Sequence, residues 1–347
     1  MKLSHISELS LLENIRSTFP RRSRNIRVGI GDDAAVIKKK DQNLIVTTDM
    51  MVEGIHFDLT FITPFQLGFK LISVNVSDIY AMGGKPSYVL LNMALRRNTT
   101  TQFLDMFFDG IKEAMHKYDT TLIGGDLSAA NKEMSLSATV IGYGKKYIRR
   151  SSAKAGDRIY VTGNLGDSAG GLEILQRIQM HVPLDYERAK MKNASGIRTF
   201  HSRILRMGLS PETAAPLIRR HLMPEARNPE PFIPYATAMM DVSDGLQIDL
   251  TRLCKESKVG ARIYEEKIPV SPELMKAAAC LNATPLRLAL SGGEDYELLF
   301  TAPPGKKVKA IYIGDVMEKG MVIISRSGRG KTFPAEGFQH FGNKKDR

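Results

Sequence analysis

The stretch VGIGDDAAVIKKKDQNLIVTTDMM, Val28 to Met51, carries two β-prone runs on either side of a polar turn at Lys40–Asn43. Apolar and β-branched residues flanking a short polar segment predict a β-hairpin. The stretch also sets two adjacent carboxylates, Asp32 and Asp33, behind Gly29-Ile30-Gly31, and it ends its second run on Thr47, Thr48 and Asp49. The hairpin is therefore both the first element of the fold and a carrier of acidic groups.

Working outward, Pro64 to Gly84 reads as a helix closed by Gly83-Gly84, with Pro86 following. Ser87 to Leu95 reads as a strand, Thr100 to Tyr118 as an amphipathic helix, and Thr121 to Ile123 and Met134 to Tyr143 as two more strands. Upstream, Leu9, Leu12, Ile15 and Phe19 recur at helical spacing without the apolar core or cleavage site of a leader, which predicts a structural amphipathic helix. The small, polar segment Ser151–Asp157 precedes a fresh strand, IYVTG, and marks a domain junction.

Beyond it, helices (Gly166 to Gln176, Leu246 to Ser257) alternate with extended runs (Met239 to Val242, Tyr296 to Thr301, Lys307 to Ile313). The expected fold class is α/β or α+β, with domains at 1–150 and 151–347. A basic stretch from Gln176 to Pro229, with several Pro and Met, reads as a helical insertion or a cover and carries no motif.

The 347 residues exceed the usual span of one core, and 43% hydrophobic with 25% charged residues is ordinary globular composition. No run approaches the roughly 18 apolar residues of a membrane helix; the best, Tyr88 to Leu95, is broken by Asn92. Cys254 and Cys280 have no neighbouring Cys to form a zinc motif, so a reduced, cytoplasmic setting is expected. The formal charge is +12, with basic clusters at Arg21–Arg24, Lys38–Lys40, Arg149–Arg150 and Lys344–Arg347. These clusters are separated and lack interleaved aromatics. They read as solvated faces that attract anionic metabolites rather than as a nucleic-acid groove.

The positions of the aspartates are more informative. Besides the two groups in the opening stretch, Asp78 lies near a helix end and Asp126 follows Gly124-Gly125. Asp241 and Asp244 bracket Val242-Ser243 before Gly245, and Glu294-Asp295 follow Gly292-Gly293. A carboxylate beside a glycine turn points into a crevice that phosphate or metal can approach closely. Magnesium takes one or two carboxylates per ion and completes its shell with phosphate and water. Any one such Asp is more often a turn or helix cap; the set together carries the signal. Neither a P-loop nor the H-R-D and D-F-G pair of protein kinases occurs, so metal ions would have to carry most of the phosphate charge if ATP binds.

VGIGDDAAV, VTTDMMVEGIHF, VNVSDIYAMGGKP, LIGGDLS, RRSSAKAGDRIYVTGNLGDSAGGL, MDVSDGL and LSGGEDYELLF occur in that order from Val28 to Phe300. Together they resemble the thiamine-monophosphate kinases, within the wider aminoimidazole-ribonucleotide synthetase superfamily. The resemblance implies two α/β domains, the first dimerising through its sheet, with ATP bound between them. It implies direct in-line transfer of the γ-phosphoryl group of ATP to thiamine monophosphate, without a phosphoenzyme.

Carried over by motif, Asp33, Asp78 and Asp241 resemble ligands shared by bridging Mg²⁺ ions. Thr48, Asp49 and Asp126 resemble the shell of another, with Thr47 beside them, and Asp244 a ligand of a further one. Asp33, Asp49, Asp78, Asp126 and Asp241 are thus the expected catalytic set. Gly125, Asp126, Arg150 and Ser243 resemble ATP contacts. His56, Glu294 and Phe338 resemble the thiamine site, with Glu294 facing the cationic end and Phe338 stacking on the rings. The rival readings are another ATP-dependent member of the superfamily, such as a purine-pathway synthetase, and a basic nucleic-acid-binding module. VEGIHF and GGEDYE weigh against the first, and the acidic turns weigh against the second.

Overall fold

Ile26–Val28 (β1), Ala35–Lys39 (β2) and Gln42–Val52 (β3) form an antiparallel meander, so the expected hairpin is present, and Lys40 takes a left-handed φ of 48° at its turn. The computed structural model describes residues 24–182 and 194–332, together with Glu13 and Ser17. The helix expected from Leu9, Leu12, Ile15 and Phe19 lies outside the described residues, as does Phe338.

Three longer strands complete the first sheet: Lys85–Arg96 (β4), Thr121–Ala130 (β5) and Ser135–Gly144 (β6), in the order β1-β2-β3-β6-β4-β5. Two helices cover one face, Pro64–Ala81 (α1) and Thr101–Tyr118 (α2). Thr63 and Gln66 form a capping box that starts α1, and Pro64 occupies its first turn, where no N–H is missed. The two helices touch through glycines. A Cβ on Gly68 would sit 2.1 Å from the carbonyl O of Phe107, and one on Gly110 would sit 1.9 Å from that of Phe65. The other face and the edge leave Met50 60%, Ile123 53% and Leu127 64% exposed.

One difference from the sequence reading affects the site. Strand β5 continues through Gly124-Gly125 to Ala130, so Asp126 stands within a strand rather than on a turn. Parallel pairing with β4 overrides the usual breaking effect of Gly-Gly, and it places Gly125 where a Cβ would lie 1.7 Å from the Leu91 carbonyl O.

The second sheet has seven strands: Arg158–Val161 (β7), Ala238–Asp241 (β8), Gly260–Tyr264 (β9), Leu298–Ala302 (β10), Ile311–Met317 (β11), Met321–Ile324 (β12) and Gly330–Thr332 (β13). Their order is β13-β12-β9-β11-β7-β10-β8, and every pair is antiparallel except β12 with β9. The helices of this half are Asp167–Ile178 (α3), Ala194–Arg206 (α4), Pro211–Leu222 (α5), Leu246–Ser257 (α6), Pro272–Leu281 (α7) and Pro285–Ser291 (α8). Within the 176–229 stretch, α5 buries Leu217, Ile218, His221 and Leu222 and packs on α3.

The chain after α5 is strapped to the first domain. Ser73 Oγ donates to the Pro224 carbonyl at 2.5 Å, the Ala226 N–H donates to Tyr118 OH at 3.0 Å, and Lys117 pairs with Glu225 at 2.9 Å.

Candidate active site at the domain junction

Helix α1 is the wall shared by the two domains. Toward β3, Asn75 Oδ1 accepts from the Asp49 N–H at 2.9 Å, and Asp78 Oδ2 accepts from Thr47 Oγ1 at 2.6 Å. Toward the second domain, Ser77 Oγ donates to Asp241 Oδ2 at 2.6 Å. Thr47 Oγ1 also lies 3.2 Å from the Asp33 carbonyl O, so these contacts bring together a turn residue, a helix residue and the last residue of β8. Asp33, Asp78 and Asp241 each offer an oxygen within 4.8 Å of the other two. Oδ2 of Asp33 is buried without a hydrogen-bond partner, a costly condition for a carboxylate unless a further ligand completes it.

The electrostatics agree. Burial, reinforced by Asp49, Asp241 and Asp33, raises the Asp78 pKa well above the ordinary carboxylate range. Burial and Asp33 do the same to Asp241. Asp49 rises to about 6 through burial and the charges of Asp244 and Asp33. Asp32 rises to about 7, with burial and Asp33 outweighing the opposite pull of Arg150. Several buried like charges this close cannot all ionise unaided. All the groups are hard oxygen donors, as Mg²⁺ requires, so the residues fit a divalent-cation site.

Two arginines already stand against these acids. Arg150 bonds Asp33 and approaches Asp32 at 3.3 Å, from a short 3₁₀ turn (Arg150–Ser152) that Ser257 Oγ pins by donating to the Arg150 carbonyl at 2.6 Å. Arg252 bonds Asp244 and approaches Asp249 at 3.1 Å. An open cleft of about 160 Å³ adjoins Asp32, lined also by Val28, Gly29, Ile30, Gly31 and Ser151.

Asp249, which sequence reading missed, organises the loop that carries Ser243 and Asp244. Its Oδ2 accepts from the N–H groups of Ser243, Asp244 and Gly245 at 3.1, 3.0 and 3.1 Å. Asn75, Ser77, Lys70, His221 and Arg252 were missed as well. The signal for two of them was legible: Lys70 and Ser77, with Ser73 between them, form a polar stripe at helical spacing through an otherwise apolar helix.

Other expected residues stand apart. Register links Asp49 to Ala138, Leu91 and Gly125 across three strand spacings, about 14 Å at the usual inter-strand distance. Asp126 therefore lies outside the cluster, on an exposed edge. Thr48 faces away from Thr47 and Asp49, with its Oγ1 accepting from Thr139 Oγ1 at 3.0 Å. His56 Nδ1 accepts from the Val52 N–H at 3.0 Å at the end of β3. Glu294 is bound to Lys70 and His221, at 2.9 and 3.1 Å.

Comparison with known proteins accords with this arrangement. Family models for AIR synthase related proteins match the chain at residues 31–143 (N-terminal domain) and 154–325 (C-terminal domain). The thiamine-monophosphate kinase of Aquifex aeolicus is 33% identical over 346 residues, covering 98% of this chain and all of the relative. That of Escherichia coli K12 is 35% identical over 339 residues, covering 92% and 94%. A solved structure of AaThiL complexed with AMPPCP and TMP superposes with a TM-score of 0.81 at 33% identity, over 98% of this chain and 99% of that one. The chain belongs to the thiamine-monophosphate kinase family, within the AIR synthase related proteins.

Proposed function

We propose that the chain transfers the γ-phosphoryl group of ATP to the phosphate of thiamine monophosphate, giving thiamine diphosphate and ADP. The observation that carries this reading is the convergence of Asp33, Asp78 and Asp241 at the domain junction, with Arg150 beside them. The full-length similarity to kinases of this name, one of them solved with AMPPCP and TMP, supports it.

The acceptor needs no general base. The second pKa of a phosphate monoester lies near 6, so its attacking oxygen is mostly deprotonated at neutral pH. The difficulty is repulsion between two anions, and catalysis becomes positioning and charge neutralisation. Asp33, Asp78 and Asp241 would hold bridging Mg²⁺, with Thr47, Asp49 and Asp244 alongside. Gly125 and Asp126 at the sheet edge, Thr48, Ser243 and Arg150 are assigned to the nucleotide side and its accompanying metal. Bound there, Mg²⁺ would supply Lewis-acid stabilisation of the phosphoryl oxygens. Arg150, already aimed at the acids, supplies a fixed positive charge. His56, Glu294 and Phe338 are assigned to the thiamine moiety.

A homodimer through the first sheet is part of the proposal, supported by the exposed apolar residues Met50, Ile123 and Leu127. Among the described residues no helix is long and apolar enough to cross a membrane, and Cys254 and Cys280 are unbridged, which supports a cytoplasmic setting.

The test is mass spectrometry of the protein incubated with Mg²⁺-ATP and thiamine monophosphate. Thiamine diphosphate and ADP in equal amounts are expected. Their absence at high enzyme concentration removes the assignment.

A further inference from the structure

Lys70 lies in the middle of α1 with a side chain 1% exposed. A buried ammonium is costly unless it is paired and hydrogen-bonded. Its partner is Glu294, from the other domain, whose two oxygens lie 2.9 and 3.0 Å from Nζ. His221 of α5 completes the group: its Nδ1 is 3.1 Å from Glu294 Oε2 and 3.1 Å from Ser168 Oγ. Burial and then Lys70 lower the His221 pKa, so the ring is neutral. Burial alone would raise Glu294, but Lys70 and His221 together hold it well below the usual carboxylate range. An ionised carboxylate can only accept, so the imidazole proton sits on Nδ1.

The group is therefore neutral as a unit, one ammonium against one carboxylate. A cation approaching Glu294 gains little Coulombic attraction, because Lys70 already stands against it. What remains is geometric. Glu294 keeps 27% of its side chain exposed, and a carboxylate has about four acceptor positions, of which Lys70 and His221 occupy three.

Its aim is rigid. Glu294 and Tyr296 hold left-handed φ values of 64° and 51°, conformations that persist only where the surroundings over-determine them. Here the surroundings do so. The intervening Asp295 accepts from the N–H groups of Gly166 and Ser168 at 2.6 and 3.1 Å, and the Glu294 N–H donates to the Ser243 carbonyl at 2.7 Å.

Lys70 and Asp78 lie on the same helix, eight residues apart, which is about 12 Å along its axis. That separation suits a substrate with a phosphate at one end, tethered through two carbons to one ring and through a methylene to a second. In thiamine monophosphate the thiazolium carries the charge but no N–H, whereas the pyrimidine carries an exocyclic amine.

We propose that Lys70 and His221 are positioning residues that hold Glu294 as a fixed, charge-neutralised hydrogen-bond acceptor for the pyrimidine amine, and that α1 sets its distance from the carboxylate cluster. The inference rests on the proposed phosphorylation of thiamine monophosphate. It replaces the expected counter-ion role of Glu294 toward the thiazolium with recognition of a neutral N–H donor.

The experiment compares kcat/KM for thiamine monophosphate with that for its 4-oxo analogue, which presents an acceptor where the amine donates. The wild-type chain is expected to prefer the amine by about 100-fold or more, because a site built for a donor leaves its acceptor unpaired with the analogue. Lys70→Met and His221→Leu are expected to cut that preference below about 10-fold, mainly through the KM for the amine substrate, with the KM for ATP unchanged. His221→Asn, which keeps an N–H close to the Nδ1 position, retains the preference. If Lys70→Met does not fold, the two His221 variants decide.

A preference that survives both Lys70→Met and His221→Leu overturns the positioning roles. Equal use of both compounds by the wild type overturns the amine assignment while leaving phosphoryl transfer intact. Failure to convert either one sinks the underlying reading.

Discussion

Replacing Asp249 with Ala removes the single oxygen that accepts three backbone N–H groups, from Ser243, Asp244 and Gly245. Asp249 is fully buried and also binds Arg252 at 3.1 Å. An orphaned buried donor costs about 1–3 kcal/mol. Gly245 is buried while Ser243 and Asp244 are half-buried, so water relieves part of the loss at two of the three. The sum is about 3–5 kcal/mol, the range found when one partner of a buried charged pair is removed.

In urea, at a slope of about 3 kcal/mol/M, the midpoint falls by about 1–1.7 M. Far-UV circular dichroism is the suitable probe, since the chain has no Trp. Asp249→Asn keeps an acceptor and should recover more than half of the loss. If Asp249→Ala unfolds within 0.2 M of the wild type, the loop carrying Ser243 and Asp244 is held by something else, and the argument fails.

Metal removal should give the protein an inverted pH dependence. Asp49 is raised to about 6, and Asp32, Asp249 and Asp295 to about 7, all first by burial. The folded chain then binds more protons than the unfolded one between about pH 4 and 7, so stability falls as pH rises through that window. His221, lowered by burial, opposes this, and Glu294, held low by Lys70 and His221, opposes it at the acid end of the window. In EDTA the melting temperature should be higher at pH 5 than at pH 8, and the gain from added Mg²⁺ should be larger at pH 8; a melting temperature in EDTA that climbs from pH 5 to 8 contradicts the proton count. Asp49→Asn should reduce kcat by about 100-fold or more without lowering the melting temperature in EDTA, because it removes a repelled charge. Near wild-type turnover at saturating Mg²⁺ would count against its metal role. Gly110→Ala places a methyl 1.9 Å from the Phe65 carbonyl O and must push α1 from α2. A loss of about 3 kcal/mol or more is expected, and a fully stable variant would show that the helices are not in backbone contact.

Local chemistry made much of the chain legible. The helix from Leu246 to Ser257 is where periodicity behind Ser243-Asp244-Gly245 places it, and the amphipathic helix read from Thr100 to Tyr118 and the hairpin at Lys40–Asn43 hold as well. Elements whose cause is a distant partner were not legible. Strand β5 runs through Gly124-Gly125 because β4 pairs with it, and Asp126 thereby moves off a turn onto a sheet edge. The 176–229 stretch, unreadable as a motif, is partly a strap from α5 to α1 and α2, made by Pro224, Glu225 and Ala226. Lys70 looks like a surface residue in a sequence; only its pairing with a carboxylate from the other domain makes its burial tolerable.

The order and wording of the motifs, the acidic character of the turns and the family were settled by the sequence alone, since each depends on residues adjacent in the chain. Which acids meet was decided by tertiary structure. Asp33, Asp78 and Asp241 belong to a turn, a helix and a strand in two domains, and they converge within 4.8 Å because α1 is packed between the two sheets. Chain spacing carries no information about such proximity, nor about the desolvation that raises these carboxylates' pKa values. Both arise only when the domains close on one helix.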